Sequence, residues 1–384
     1  MDLSKLVILP GALQIVVDDV GWFFGNDDRY KGGPSRSVMP RRHRPDDYAA
    51  LERLGRALHM KITCALVIGE WDSKNILKGV PGATRYGDDW DNARFFKERE
   101  ARDCIDVIKN STHIEFALHG LLHWYWEKSN SPYPEFYYLD SDNKLKMPPR
   151  EHLLKHIDAF FEIYNQWGFN GPIRAFLPPC FSYQFDKSAS GLSRILSQYG
   201  ILYTIAPFDM MGACGQKPVL CDVENSIITV DRTSDLCCWY KYDTSPDFNY
   251  FKDGIFGFHW VNFLKLIPQN NSMVVDKWIE YFRLAGKRFG TVLSKDIAFA
   301  ASQALYKRYA KLIFEKDTVI IDLKEALAMG AKGLLNKLYI SIKNEAVITE
   351  AKGCAAVPFE YQSTFTTYQL DIKDSLIKLK ISSI

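Results

Sequence analysis

The sequence predicts an α/β fold: an irregular (β/α) barrel of about seven strands with a small C-terminal β appendage. Short apolar runs alternate with helical segments of ten or more residues over most of the 384 residues, a pattern typical of a parallel sheet covered by helices. After about residue 334 the helical spacing stops, and apolar and polar residues alternate. We therefore predict a barrel domain over residues 1–334 and a β appendage over residues 335–384.

The predicted elements follow one another regularly along the barrel. The strands are short and rich in apolar residues, and lie at 13–17, 61–68, 114–118, 173–177, 201–205, 227–230 and 254–258. The helices carry apolar residues at helical spacing, and span 46–59, 92–109, 149–167, 188–199, 274–289 and 295–314. In such barrels the functional residues collect at the C-terminal ends of the strands.

Composition excludes several classes of protein. The net charge of +2 argues against a dedicated nucleic-acid surface. No run of about 18 uncharged apolar residues is present, so we predict no membrane span. Residues 1–10 lack the pattern of a signal peptide, which favours a cytoplasmic protein. The eight cysteines show no CxxC spacing, and free thiols are expected. The sequence leaves the oligomeric state open.

Two histidines and two acids follow predicted strands. His119 and His123 form an HxxxH pair, a spacing that on a helical turn would bring both imidazoles to one metal ion. Asp18 and Asp19 end the first long strand. Neighbouring strand residues point to opposite faces, so both acids can share a site only if the strand ends there, as Gly21 suggests.

These residue types indicate a hydrolytic metal site. Asp19, His119 and His123 would provide one carboxylate and two imidazoles to a divalent ion and leave a position open. Zinc is the expected metal, although cobalt, nickel and manganese would also accept this set. One acid could then act as a base toward water, and His259, after the strand at 254–258, is the best candidate for a proton donor.

The order of these residues resembles the polysaccharide deacetylases (carbohydrate esterase family 4) over roughly residues 13–262. The segments that carry the resemblance are Asp18-Asp19, His119-Gly-Leu-Leu-His123, Phe176-Leu-Pro178-Pro179 and Phe258-His259. The resemblance implies that the first acid, Asp18, is the catalytic base and that Asp19 binds the metal with the two histidines. It also implies that His259 is the catalytic acid and that the reaction removes acetyl groups from an N- or O-acetylated saccharide.

The chain departs from the family pattern at several positions. Valines flank the acid pair where the family has Thr-Phe before it and Gly after it. Leu177 stands where the family has an arginine that orients the base. Arg174 is nearby, but its odd offset along the strand would place it on the other face. The family's fourth motif is at best vestigial in residues 231–239.

Aromatic and proline residues near the strand ends are candidate substrate contacts, because sugar rings stack on aromatic side chains. The candidates are Trp22, Trp124, Pro178, Pro179 and Trp260.

Two other functions stay open. A glycoside hydrolase would need a second, separated carboxylate, for which Glu70 or Asp209 could partner Asp18. A non-catalytic carbohydrate-binding relative is the other alternative, to which Leu177 points.

Overall fold

The computed structural model describes residues 2–25, 37–94, 96–127, 132–140, 142, 144–169, 171–208, 221–232, 234–235 and 237–384. Its strands are β1 Val7–Ile8, β2 Gly11–Val20, β3 Ile62–Val67, β4 Ile114–Gly120, β5 Trp124–Tyr125, β6 Tyr133–Pro134, β7 Tyr138–Leu139, β8 Leu145–Lys146, β9 Ala175–Phe176, β10 Tyr203–Ala206, β11 Cys221–Glu224, β12 Ile227–Asp231, β13 Ser234–Asp235, β14 Ile255–His259, β15 Thr291–Leu293, β16 Lys311–Phe314, β17 Thr318–Asp322, β18 Lys337–Lys343, β19 Ala346–Lys352, β20 Cys354–Tyr361, β21 Phe365–Ile372 and β22 Leu376–Ser383. Its helices are α1 Pro45–Leu58, α2 Glu98–Lys109, α3 Arg150–Gln166, α4 Leu192–Gln198, α5 Ser272–Gly286, α6 Ile297–Tyr309 and α7 Lys324–Ala328.

A curled, mostly parallel sheet forms the centre of the protein. Its strand order is β11-β12-β10-β9-β4-β3-β2-β14-β13, with β15 also paired to β2. Every pair in this sheet is parallel except β11 with β12. The predicted α/β class is confirmed. The barrel is an open half-barrel rather than a closed one, because β11 and β13 are edge strands with no hydrogen-bonded ladder between them in the described part of the chain.

The two faces of the sheet are covered differently. Helices α1 to α5 pack on the outer face and share a large apolar core with it. On the inner face, Ala65, Ala117 and Ala175 lie on neighbouring strands and belong to one buried cluster with residues of α6. Small side chains on these strands leave room for a helix inside the curled sheet. The half-barrel is thus filled at this level by α6 rather than by large strand residues.

Antiparallel strands form a second β region near the C-terminus. Two four-stranded sheets, β1-β18-β21-β20 and β16-β17-β22-β19, contribute to one apolar cluster. Strands β16 and β17 begin before residue 335, and β1 comes from the N-terminus. The helix predicted over residues 295–314 ends at Tyr309, and its last residues form β16 instead. The domain division at residues 334 and 335 stays a prediction.

Within the described residues, none of the helices has both the length and the apolar character needed to cross a membrane.

Candidate metal centre

The two acids of β2 face one site because the strand is irregular there. The pairing of β2 with β3 shifts between Val17 and Val20, and Asp19 has a left-handed backbone with φ of 62°. Aspartate tolerates this conformation better than most residues. The bulge turns Asp19 so that consecutive carboxylates point to the same region, which a regular strand would forbid. The sequence suggests that the strand ends at the acid pair. In the structure β2 continues to Val20 and has a bulge at the acid pair.

The HxxxH pair does not lie on a helical turn, the local structure in which its spacing would bring both rings to one face. His119 lies in β4, and the chain then bends sharply through Gly120, with φ of 132°, to His123, with φ of 71°. This bend brings the two imidazole rings to a centroid distance of 5.2 Å in an edge-to-face arrangement. The pair therefore converges on one point through a strand end and a tight turn.

Asp19, His119 and His123 together form a donor set that fits a metal ion. Asp19 Oδ1 lies 3.5 Å from His119 Nε2 and 3.6 Å from His123 Nε2, and all three residues are buried. Ligand atoms about 2.1 Å from a tetrahedral zinc ion lie about 3.4 Å apart, so the spacing suits such an ion. Asp19 Oδ1 is also buried with no hydrogen-bond partner among the described residues, which a cation would satisfy.

Protonation favours the same interpretation. Burial acts to raise the pKa of Asp19, but His119, His123 and His259 outweigh burial and hold that pKa well below its usual range. Asp19 is therefore an anion at neutral pH. Burial acts to lower the pKa of His119, but Asp19 and Asp18 outweigh it and raise that pKa. The negative charge of the two acids therefore favours a cation at the point where the imidazole nitrogens converge.

The loop after β9 orients both histidines. The Leu177 carbonyl accepts a hydrogen bond from His119 Nδ1 at 2.8 Å, and Cys180 Sγ lies 3.7 Å from His123 Nδ1. Each ring thus has its Nδ1 edge against this loop and its Nε2 edge toward Asp19. Outer contacts of this kind set the tautomer and orientation of metal-binding histidines. Pro178, inside the loop, is buried.

Arg232 forms a buried ion pair with Asp18. Its guanidinium contacts Asp18 Oδ2, and both side chains are 1% exposed. The guanidinium also lies over the Phe181 ring, 4.7 Å from the centroid. Arg232 reaches Asp18 across Gly257, where a Cβ would overlap the guanidinium. An arginine is therefore present beside Asp18, although it comes from the end of β12 and not from position 177.

His259 lies on the other side of the acid pair from the HxxxH histidines. Strand β14 pairs with β2 so that His259 is opposite Asp18. His259 Nε2 is 4.0 Å from Asp18 Oδ2 and 4.0 Å from Asp19 Oδ2. The backbone N–H of His259 donates to Asn262 Oδ1 at 2.8 Å. Its side chain keeps 12% exposure, more than those of the two acids, the HxxxH histidines and Arg232.

Several predicted substrate contacts are buried. Trp22 and Trp260 are each 1% exposed, so their indoles cannot stack on a sugar, and this prediction is wrong for both. Pro179 is also buried. Trp124 is partly exposed, and its indole is 5.5 Å from the His123 ring. Trp124 alone among the three predicted tryptophans is placed where it could contact a ligand beside the metal centre.

Glu70, one of the two carboxylates considered for a glycoside hydrolase, is already engaged by the backbone. Glu70 Oε2 accepts hydrogen bonds from the backbone N–H groups of Phe23 and Phe24 at 2.6 and 3.0 Å. It thus holds the loop after β2. Asp209 lies outside the described residues.

Sequence reasoning missed Arg232 and the contact of Cys180 with His123. Arg232 lies in the segment 231–239, whose match to the family motif is weak, yet it comes two residues after the predicted strand 227–230, close to a strand end as the other site residues are. The place of Cys180 after the proline pair is consistent with a pocket lining, but its contact with His123 Nδ1 depends on the fold.

No family model matches the chain, and no curated protein matches it. Similar solved structures include a provisionally named polysaccharide deacetylase from Mycobacterium smegmatis, at 12% identity and a TM-score of 0.43. That match covers 78% of this chain and 91% of the other. A GH57-type branching enzyme from the hyperthermophilic archaeon Pyrococcus horikoshii is similar at 11% identity and a TM-score of 0.39, with 75% and 69% covered. Similarity this distant does not define a function, which has to be argued from the site.

Proposed function

We propose that this protein is a metal-dependent hydrolase that removes acetyl groups from an N- or O-acetylated saccharide. One observation carries the proposal: the Asp19, His119 and His123 donors adjoin a buried Asp18–Arg232 pair and a partly exposed His259. This is the set of groups that such a hydrolysis needs, namely ion ligands, a base and an acid.

The ligand set would hold the ion through one carboxylate oxygen and two Nε2 atoms. A bound divalent ion, for which we propose zinc, would supply Lewis acidity toward a carbonyl oxygen and toward water. Leu177 and Cys180 hold the two rings so that their Nε2 atoms face Asp19. The protein therefore orients the donors before any ion arrives.

Asp18 is the proposed base. It would take a proton from the attacking water while the water oxygen bonds to the acetyl carbon. Arg232 pairs with this buried carboxylate and fixes its direction. Because Arg232 occupies Asp18 Oδ2, we assign proton transfer to Oδ1, a buried atom with no hydrogen-bond partner among the described residues.

His259 is the proposed acid. As the bond from the acetyl carbon to nitrogen or oxygen breaks, His259 would give a proton to the leaving atom, and acetate would be released. His259 lies on the opposite side of the Asp18-Asp19 pair from the HxxxH histidines, so the proposed proton donor is separate from the proposed metal ligands. Its residual exposure gives a leaving group access from solvent. Trp124 is the proposed sugar contact.

Acetate release is the direct test. Metal-free protein would be supplied with zinc, cobalt, nickel or manganese and incubated with N-acetylglucosamine oligomers and with acetylated xylan. We expect acetate from one of these substrates with an added ion. Asp19→Ala should lose both ion binding and turnover, whereas Asp18→Asn should keep the ion and lose turnover by about 10²- to 10⁴-fold.

The same assay separates the other functions. Reducing sugar without acetate would favour a glycoside hydrolase over our proposal. An ion bound at Asp19 with no acetate from either substrate would favour a non-catalytic carbohydrate-binding relative. Wild-type protein that binds no divalent ion would overturn the proposal altogether.

A further inference from the structure

A second pair of buried ionisable residues lies behind the HxxxH turn. Glu135 is fully buried, and both of its carboxylate oxygens accept the backbone N–H of Leu121, at 3.0 and 2.9 Å. Leu121 is the central part of the turn between His119 and His123. The carboxylate therefore holds the backbone midway between the two imidazoles.

His156 of α3 completes this arrangement. His156 Nδ1 is 2.9 Å from Glu135 Oε1, and His156 Nε2 is 2.8 Å from the Pro81 carbonyl oxygen. Both ring nitrogens face oxygen atoms, so the orientation of the imidazole is fixed at both ends. The pair joins the HxxxH turn to helix α3 and to the segment around Pro81.

The turn is shaped to admit Glu135. A Cβ at Gly120 would overlap the Glu135 carboxylate, and the φ of 132° at Gly120 is open to glycine but rarely to other residues. On its other side the turn is held by the Leu121 carbonyl, which accepts the N–H of Gly69 at 2.6 Å. Leu121 is thus fixed through both of its backbone polar groups.

We propose that Glu135 and His156 are positioning residues of the metal centre, which fix the turn so that the His119 and His123 Nε2 atoms converge. A buried ion pair costs desolvation and is weak evidence for stability alone. Here Glu135 holds the Leu121 N–H, which lies midway along the chain between the two ligand histidines. The proposal rests on the metal site of the proposed function and adds two residues that do not touch the ion.

Zinc affinity tests this role separately from turnover. The full-length protein would be titrated against a chromophoric zinc chelator, and the melting temperature of the metal-free form would be measured in parallel. We expect Glu135→Gln and His156→Gln each to weaken zinc binding by about 10- to 100-fold, the usual effect of losing an outer contact. The double variant should bind no more weakly than Glu135→Gln, because the pair acts as a unit.

Glu224→Gln is the matched control. Glu224 is also fully buried and accepts hydrogen bonds from Tyr183 Oη at 2.7 Å and from the Asp186 N–H at 2.6 Å. It makes no contact with the HxxxH turn among these bonds, so its variant should lower the melting temperature and leave zinc affinity unchanged.

The outcomes are distinct. Zinc affinity within threefold of wild type in both Glu135→Gln and His156→Gln would overturn the positioning role and leave the proposed function standing. The same holds if Glu224→Gln weakens zinc binding equally, because the effect would then follow general destabilisation. Wild-type protein without zinc affinity would overturn the proposed function and the positioning role together.

Discussion

Replacement of Arg232 by leucine removes the cation that neutralises Asp18. Asp18 is 1% exposed, so the variant leaves a buried carboxylate without its partner. Breaking a buried ion pair on one side costs about 3–5 kcal/mol of folding free energy. An isolated buried carboxylate avoids part of that cost by taking up a proton, and a protonated Asp18 cannot act as a base. We therefore expect a loss of both stability and turnover.

The assay measures three quantities on the same preparations. Urea unfolding should show a decrease in the free energy of unfolding of about 3–5 kcal/mol in Arg232→Leu. Acetate release should fall by about 10²- to 10⁴-fold, the usual contribution of a general base. Zinc affinity should stay within a few-fold of wild type, because Arg232 contacts Asp18 and not the Asp19 ligand.

Two comparisons decide the cause. Arg53→Leu removes a bidentate pair with Asp276 whose side chains are 45% and 51% exposed, and should cost at most about 1 kcal/mol without loss of activity. The double variant Asp18→Leu/Arg232→Leu removes both charges and should recover much of the stability but none of the turnover. An Arg232→Leu variant that is destabilised no more than Arg53→Leu and keeps its activity would refute the proposed role of Arg232.

Three further predictions follow from individual contacts. Gly257→Ala places a methyl group against Arg232, and should destabilise the protein by about 1–3 kcal/mol and reduce acetate release as Arg232→Leu does. Cys180→Ala removes the outer contact of His123 and should weaken zinc binding about tenfold in a chelator competition, with Cys180→Ser restoring most of it. Burial, and to a lesser degree Asp296, raise the pKa of Glu115 from 4.5 to about 7, so Glu115→Gln should gain stability over wild type as the pH rises from about 5 to about 8.

The sign of the Glu115 effect follows from proton binding. The folded protein keeps the Glu115 proton up to about pH 7, whereas the unfolded chain releases it near 4.5. Wild-type stability therefore falls across this window relative to the glutamine variant. The full shift corresponds to at most ~3 kcal/mol, and partial exposure of the side chain reduces it to about 1–2 kcal/mol. Parallel urea unfolding curves of the two proteins at pH 5 and pH 8 measure the difference.

Each of these predictions has an opposite outcome. Full activity in Gly257→Ala would show that the space beside Gly257 is not required for Arg232 to contact Asp18. Unchanged zinc affinity in Cys180→Ala would show that the thiol does not orient His123. A constant stability difference between wild type and Glu115→Gln at both pH values would show that Glu115 ionises at its ordinary pH.

The strand ends could be predicted from the sequence because each of these strands is an apolar, buried run that is followed by ionisable residues. In β2 and β14 an apolar run ends in residues that apolar cores exclude, Asp18 and Asp19 in one and His259 in the other. Parallel pairing aligns such ends at one edge of the sheet, and β2 and β14 are indeed neighbours. Alternation therefore predicted the α/β class and the position of the acids and His259 at one edge of the sheet, whereas the pairing of their two strands is seen in the structure.

Backbone irregularity could not be predicted, because it depends on tertiary contacts. The bulge at Asp19 and the left-handed backbone at His123 are held by neighbouring strands and by Glu135, which lies 12 residues after His123 in the chain. Spacing favoured a helical turn for HxxxH, since that is the local structure in which four residues return to one face. The same geometric requirement is met here by a strand end and a bend.

Aromatic residues were misjudged for a related reason. Trp22 and Trp260 follow functional residues, so their position along the chain suggested a sugar platform. Both indoles are instead buried in the core. Trp260 Nε1 donates a hydrogen bond to the Asp47 carbonyl at 3.1 Å, and its ring stacks on His43 with the ring centroids 4.0 Å apart. Sequence position placed these residues near the site, but only packing determines which face of the loop a large side chain occupies.

The position of Arg232 shows what the site requires. Asp18, the proposed base, is buried beside two other ionisable groups and needs a cation in contact with it, and any strand whose end reaches Asp18 can supply that cation. At position 177 the chain has a buried leucine whose carbonyl orients His119, while the guanidinium arrives from β12 across β14. Gly257 is the evidence that this path belongs to the fold, because any larger residue there would block it. The absence of an arginine at residue 177 is therefore no argument against turnover, and the loss of Arg232 would be one.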